Sequence, residues 1–151
     1  MQAIARGPLE DAIAVALQPL DELRVAYLFG SQARGTPRPD SDLDVALLLQ
    51  PGLDPGRRAS LLLNVIVALT DALGPLGERA DVLDLGEAGS SVAFRVIRDG
   101  KCVLCRDPRE RVRLEASIAR RYDDERPYRE LFRRAAQQVS ERMGKGSHGR
   151  S

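Results

Sequence analysis

The chain has 151 residues, 43% hydrophobic and 30% charged, with a formal net charge of +1. That length suits one domain with a sizeable core, and the near-neutral balance argues against a nucleic-acid or anionic-membrane partner. No apolar run reaches the roughly 18 residues of a membrane span, and the opening MQAIARGPLED lacks the basic-then-apolar order of a secretion signal, so a cytoplasmic location is expected.

Pro8 suits the first turn of a helix, and Leu9, Ile13, Ala16, Leu17 and Leu20 recur at helical spacing, which predicts a helix over about 8–19. LRVAYLF (23–29) is an apolar run of strand length ending at Gly30, and DLDVALLL (42–49) is a second, stopped by the turn formers of QPGLDPG. About twelve residues join them, too few for a crossover helix, so one helical turn after Gly30 and then a loop are expected. Helical spacing returns over 57–73 and stops at Gly74-Pro75. ADVLDL (80–85) reads as a third strand, residues 88–98 as a helix closed by Gly100, and KCVLC (101–105) as a fourth strand.

Beyond Pro108 the strand signal disappears. Two charged helices, about 108–122 and 127–142 with a break at Pro127, carry Val112, Leu114, Ile118, Tyr122, Leu131, Phe132 and Val139 as their apolar positions. The Gly/Ser-rich tail 144–151 reads as disordered. The order α-β-β-α-β-α-β-α-α indicates a small α/β domain over 1–107, with a mixed sheet of about four strands flanked by helices. A C-terminal helical extension over 108–143 packs on that domain or on a partner.

Cys102 and Cys105 resemble half of a redox or zinc motif, but no second pair exists and the single His is His148 in the tail. Packed thiols are the better reading. The cations are nearly all Arg, with Lys at 101 and 145, which reflects either guanidinium recognition of phosphates and interfaces or coding bias.

Chemistry concentrates in YLFGSQARGTPRPDSDLDVALLL (27–49). On a strand Asp42 and Asp44 share a face, ~6.5–7 Å apart. Asp is depleted in strands, and two desolvated carboxylates on one face cost several kcal/mol each. Taken alone, the pair fits a solvent-exposed strand start or salt bridges to Arg34 or Arg38. It also fits a platform for Mg²⁺, a hard cation that takes oxygen ligands. Upstream, Gly30 permits close approach of a ligand to backbone, and Ser31 offers a hydroxyl and an N–H. Gly-Ser, ten residues, then Asp-x-Asp between two apolar strands sets a phosphate cradle beside a metal site.

This stretch resembles the signature of the nucleotidyltransferase superfamily that includes the DNA polymerase beta-like enzymes. Its FGSxARG…SDxDxxxL form looks like the minimal nucleotidyltransferases of prokaryotes, the MntA-type antitoxins paired with HEPN-domain (HepT-like) toxins. The likeness covers about residues 10 to 107. It implies a third carboxylate on a following strand, at the first Asp of an hDhhxL string. That matches Asp81 and leaves Asp84 as a turn residue.

The resemblance further implies two Mg²⁺ ions, with Mn²⁺ as an alternative, held by Asp42, Asp44 and Asp81 as metal-binding and catalytic residues. Gly30 and Ser31 would hold the β/γ phosphates of ATP, and Asp81 would help deprotonate the acceptor. Arg34 is placed to reach a phosphate or to anchor the loop. Arg38 reads as a solvated charge, Asp40 as a turn residue, and 36–41, with Pro37 and Pro39, as a stiffened flap. The implied activity is transfer of AMP from ATP to a tyrosine of a cognate HEPN-domain RNase toxin, silencing it within a hetero-oligomer. The alternatives are an aminoglycoside-type small-molecule nucleotidyltransferase, which usually carries a larger second domain, and an antitoxin that acts by binding alone. Extension of nucleic-acid ends needs a basic face that the near-neutral chain does not suggest.

Overall fold

A computed structural model describes residues 7–38 and 41–146. Four strands, β1 (Leu23–Phe29), β2 (Leu43–Leu49), β3 (Ala80–Asp84) and β4 (Lys101–Cys105), form one sheet in the order β3-β2-β1-β4. β1 runs antiparallel to both β2 and β4, whereas β2 and β3 are parallel. The expected mixed α/β sheet is therefore observed, and its parallel pair follows from the long helical crossover that joins β2 to β3.

The central strands read as unbroken apolar runs because both of their faces are covered. Ala26, Leu28, Val45, Leu47 and Leu49 face a core layer closed by Ile13 and Leu17 of α1 (Pro8–Leu17) and by Leu61, Val65 and Leu69 of α3 (Pro55–Leu73). Val25, Tyr27, Ala46 and Leu48 face a second layer, closed by Ala93 and Val96 of α5 (Ser90–Asp99) and Ile118 of α6 (Pro108–Asp124). Each fully buried Leu in these layers contributes about 2 kcal/mol.

Polar ties fix the layers. Arg106, just past β4, donates to the carbonyls of Leu17, Gln18, Leu20 and Leu23 at 2.6–3.2 Å, satisfying the end of α1 and the turn into β1. On the other face Tyr27 donates its hydroxyl to Glu115, which also takes a 2.8 Å bond from Arg111, so β1 grips α6 through its one buried phenol. Phe94 stacks on Tyr122 with centroids 4.2 Å apart and joins α5 to α6.

The element boundaries differ from the sequence reading where local chemistry was missed. β2 begins at Leu43, so Asp42 stands just before the strand. α3 starts two residues early, because Asp54 caps it by accepting from the Arg57 N–H at 2.8 Å and Pro55 follows as a first-turn residue. Past Gly74 the chain makes one more helical turn, α4 (Pro75–Glu78), where a plain stop was expected.

The break between the last two helices falls at Glu125 rather than at Pro127. Pro127 lies in the first turn of α7 (Arg126–Gly146), where its missing N–H leaves no bond unmade. α7 runs to Gly146, so residues 144–146 of the expected tail are helical. Residues 147–151 lie outside the described residues, as do Asp40 and Pro39 of the flap. Cys102 packs against the second core layer and Cys105 is half-buried; neither is in a disulfide.

Candidate active site

Leu43 and Val45 point into the first core layer, so the strand's alternation turns Asp44 to the opposite face, toward the α5 and α6 side. There it is aligned across the sheet with Phe29 of β1 and Asp81 of β3. Neighbouring strands lie about 4.8 Å apart, which brings Asp44 and Asp81 side by side. Asp42 is exposed one step before the strand, and Asp81 is exposed near the start of β3. The acidic group thus sits at the open end of the parallel pair, where the backbone of β2 is tied to that of β3 by the Leu43 N–H donating to the Arg79 carbonyl.

Asp44 senses the other two carboxylates. Burial first, and then the negative charges of Asp81 and Asp42, push the Asp44 carboxyl above the ordinary aspartate range, while the nearby Arg34 guanidinium opposes them. Arg34 is exposed and makes no ion pair among the described residues. Arg38 is exposed as expected; its N–H donates to the Ser41 Oγ at 2.7 Å and its carbonyl accepts from the Ser41 N–H at 3.0 Å.

Gly30 begins the short helix α2 (Gly30–Arg34), which leaves β1 directly. Its φ of +73° lies in the left-handed region, and a Cβ there would stand 2.2 Å from Asp44 Oδ2. Glycine is therefore required twice over, by backbone conformation and by the carboxylate packed against it. Ser31 is half-buried, and its hydroxyl has no partner among the described residues. Gly35, at φ +70°, ends the turn.

An all-oxygen set of carboxylates beside a glycine-serine corner fits a hard divalent cation. Among the described residues no three acidic, His or Cys side chains already close on a common point as ligands. Asp44 and Asp81 are register partners on β2 and β3, and Asp42 lies close enough for its charge to act on Asp44.

Asp84 goes elsewhere. Three positions beyond Asp81, it turns to the opposite face, where Arg58 of α3 meets it with two bonds of 2.8 and 2.9 Å and the Gly86 N–H donates to it at 2.9 Å. It is a buried tie between β3 and α3, beyond the turn role expected of it. The sequence pattern did not single out Arg58. Nor did it single out Arg95 and Asp99 of α5, which line a cleft of about 400 Å³ beside Gly30 and Arg34. Their only signal was helical spacing alongside Val92 and Val96.

Known proteins resemble this chain in sequence and in fold. The model of the family described as "Polymerase beta, Nucleotidyltransferase" matches residues 11–109. The protein adenylyltransferase MntA of Shewanella oneidensis is 32% identical over 82 residues, a stretch that spans about half of this chain and about half of that protein, 54% of each. A chain in a crystal structure of a toxin–antitoxin complex with AMP-PNP superposes with a TM-score of 0.65 at 25% identity, covering 85% of this chain and 98% of that one. A chain from a tri-AMPylated Shewanella oneidensis HEPN toxin in complex with an MNT antitoxin superposes at 0.60 and 22% identity, covering 85% and 95%.

Proposed function

Because this chain belongs to the polymerase beta-type nucleotidyltransferase family, we propose that it transfers AMP from ATP to a tyrosine of a cognate HEPN-domain toxin in the cytoplasm and thereby silences it. The observation that carries this reading is Asp44, held beside Asp81 and Asp42 and touching the Gly30 backbone position. The similarity to an adenylyltransferase and to chains of toxin–antitoxin complexes supports the choice of nucleotide and acceptor. Residues 1–107 would form the transferase domain, and the helices after them the extension.

In this reading Asp42, Asp44 and Asp81 hold two Mg²⁺ ions, for which Mn²⁺ can substitute. When bound, such ions neutralise the triphosphate and make the acceptor hydroxyl more acidic. The Gly30–Ser31 backbone and the Ser31 hydroxyl seat the β/γ phosphates, which need the free donors this corner presents. Arg34, without an ion pair among the described residues and close to Asp44, takes a phosphate oxygen. The acceptor oxygen attacks the α-phosphorus, a new O–P bond forms, and the bond to pyrophosphate breaks. Asp81, exposed at the edge of the site, accepts the hydroxyl proton.

α7 supports a protein partner. Tyr128, Leu131, Phe132, Val139 and Met143 are each between 57% and 73% exposed, and the helix carries six cations against two carboxylates. A second α7 would bring like charges together, so an acidic, helical face of the toxin is the better occupant.

The test mixes purified protein, ATP and Mg²⁺ with the toxin encoded by the neighbouring gene and reads intact mass. AMP additions on the toxin that vanish with Asp42→Ala are the expected result. Full protection from the toxin in that variant, without mass change, would establish the binding-only alternative instead.

A further inference from the structure

The outer face of α1 and α3 is nearly uncharged. From Ala59 to Leu73 α3 carries one charged residue, Asp71, whereas nine of the 17 residues of α6 are charged, so the shortage is local to this face. A surface helix ordinarily turns charge to solvent. α3 turns Leu61, Val65 and Leu69 to the sheet and then shows Leu63 and Val67, 64% and 58% exposed, on its outer side. Val15 does the same on α1, which packs beside α3, at 75%.

The polarity of this layer is turned inward or neutralised. Thr70 donates its hydroxyl to the Ile66 carbonyl at 2.8 Å. Arg57 is paired with Glu22, and Arg58 with Asp84. Gln18, Ser60 and Asn64 are exposed and add polarity without charge.

Charge selects the occupant. A two-fold contact lays a face on itself, so a charge near the axis meets its own kind and is repelled. α7, with six cations against two carboxylates, fails that condition, and α3 meets it. With two α3 helices antiparallel about the mid-point of Leu63 and Val67, the two Asp71 carboxylates stand about 18 Å apart at the helical rise. That exceeds the roughly 8 Å over which charge acts at physiological salt. Each Asp71 then lies toward the N-terminal end of the other α3, where the helix dipole favours an anion. The size is adequate as well. α3 is about 28 Å long and α1 about 15 Å, each about 11 Å wide, so two copies bury about 1,000 Å², the lower bound for a specific contact.

We propose that the α1–α3 face joins two copies of this chain in a weak, reversible dimer, through an antiparallel two-fold contact centred on Leu63 and Val67. Asp44 points to the other side of the sheet, toward α5 and α6, so both acidic groups stay open in the dimer.

Sedimentation velocity on the full chain, from micromolar to near-millimolar concentration, should show a rise from monomer toward dimer. Val67→Glu should weaken association at least about tenfold, because two charges are desolvated together beside the axis, and Val67→Lys should do the same. An equimolar mixture of the two should recover it, since a face that meets itself brings the two copies of residue 67 together. Leu131→Glu on α7 should leave association unchanged. If Val67→Glu lowers the urea midpoint, Leu63→Glu and Leu63→Lys replace the pair. A chain that stays monomeric throughout overturns the proposal, as does a dimer that Val67→Glu leaves intact or that Leu131→Glu dissolves. So does a mixture that fails to associate. Loss of toxin binding by Val67→Glu with self-association unchanged gives the face to the toxin instead.

Discussion

Asp81 and Asp84 stand three residues apart on one short strand, and the protein uses them in opposite ways. At the open end of β2 and β3, Asp81 joins Asp44 and Asp42 in a group of like charges, where the negative charges of its neighbours raise the Asp44 pKa and Arg34 opposes them. On the other face Asp84 is 6% exposed and fully satisfied, by two bonds from Arg58 and one from the Gly86 N–H. A carboxylate with all its partners holds structure together. One that is desolvated among its own kind is destabilising until a ligand arrives, and that marks a place for function.

This contrast can be broken at either end. The largest effect is expected from Asp44→Asn, which should lower AMP transfer by about a thousandfold, the upper range for loss of one preorganised electrostatic group, while the urea midpoint holds or rises. The reverse pattern, normal transfer with a lost midpoint, would move Asp44 to the scaffold. Asp84→Ala strands Arg58 at a largely buried position and should cost about 3 kcal/mol in urea unfolding, as broken buried pairs do. Residual folded enzyme should keep its turnover per molecule.

Gly30→Ala comes next. Positive φ and a Cβ driven toward Asp44 Oδ2 should cost about 1–3 kcal/mol and also depress transfer, because Gly30 belongs to both structure and site. The smallest effect is in pH. The folded pKa of Asp44 is raised, so its contribution to stability is complete below the unfolded value of about 4 and is lost as pH rises through the folded value. Asp44→Asn should therefore melt above the unaltered chain at pH 7, and the gap should close below about pH 4. Mg²⁺ should raise the melting temperature of the unaltered chain and leave that of the variant nearly unmoved.

Much of this architecture was legible in the chain. The strand runs 23–29 and 101–105 fall where the apolar patterns put them, and the single turn after Gly30 follows from the short link between β1 and β2. Gly30, Ser31, Asp42 and Asp44 stood out because their residue types are costly or unusual at strand ends, and local sequence records such costs. Asp81 and Asp84 could be separated by strand alternation once a face was assigned, but the face itself came from a resemblance.

Residue order by itself determined the mixed sheet, the glycine-serine corner and the Asp-x-Asp pair, because period, turn chemistry and the rarity of charge in strands act over a few residues. Tertiary structure alone decided that Asp84 pairs with Arg58, that α5 opens a cleft beside Gly30, and that α6 is covered while α7 is not. Those outcomes depend on which distant surfaces meet. Two amphipathic helices of similar pattern differ in burial only when one of them finds a sheet face to cover.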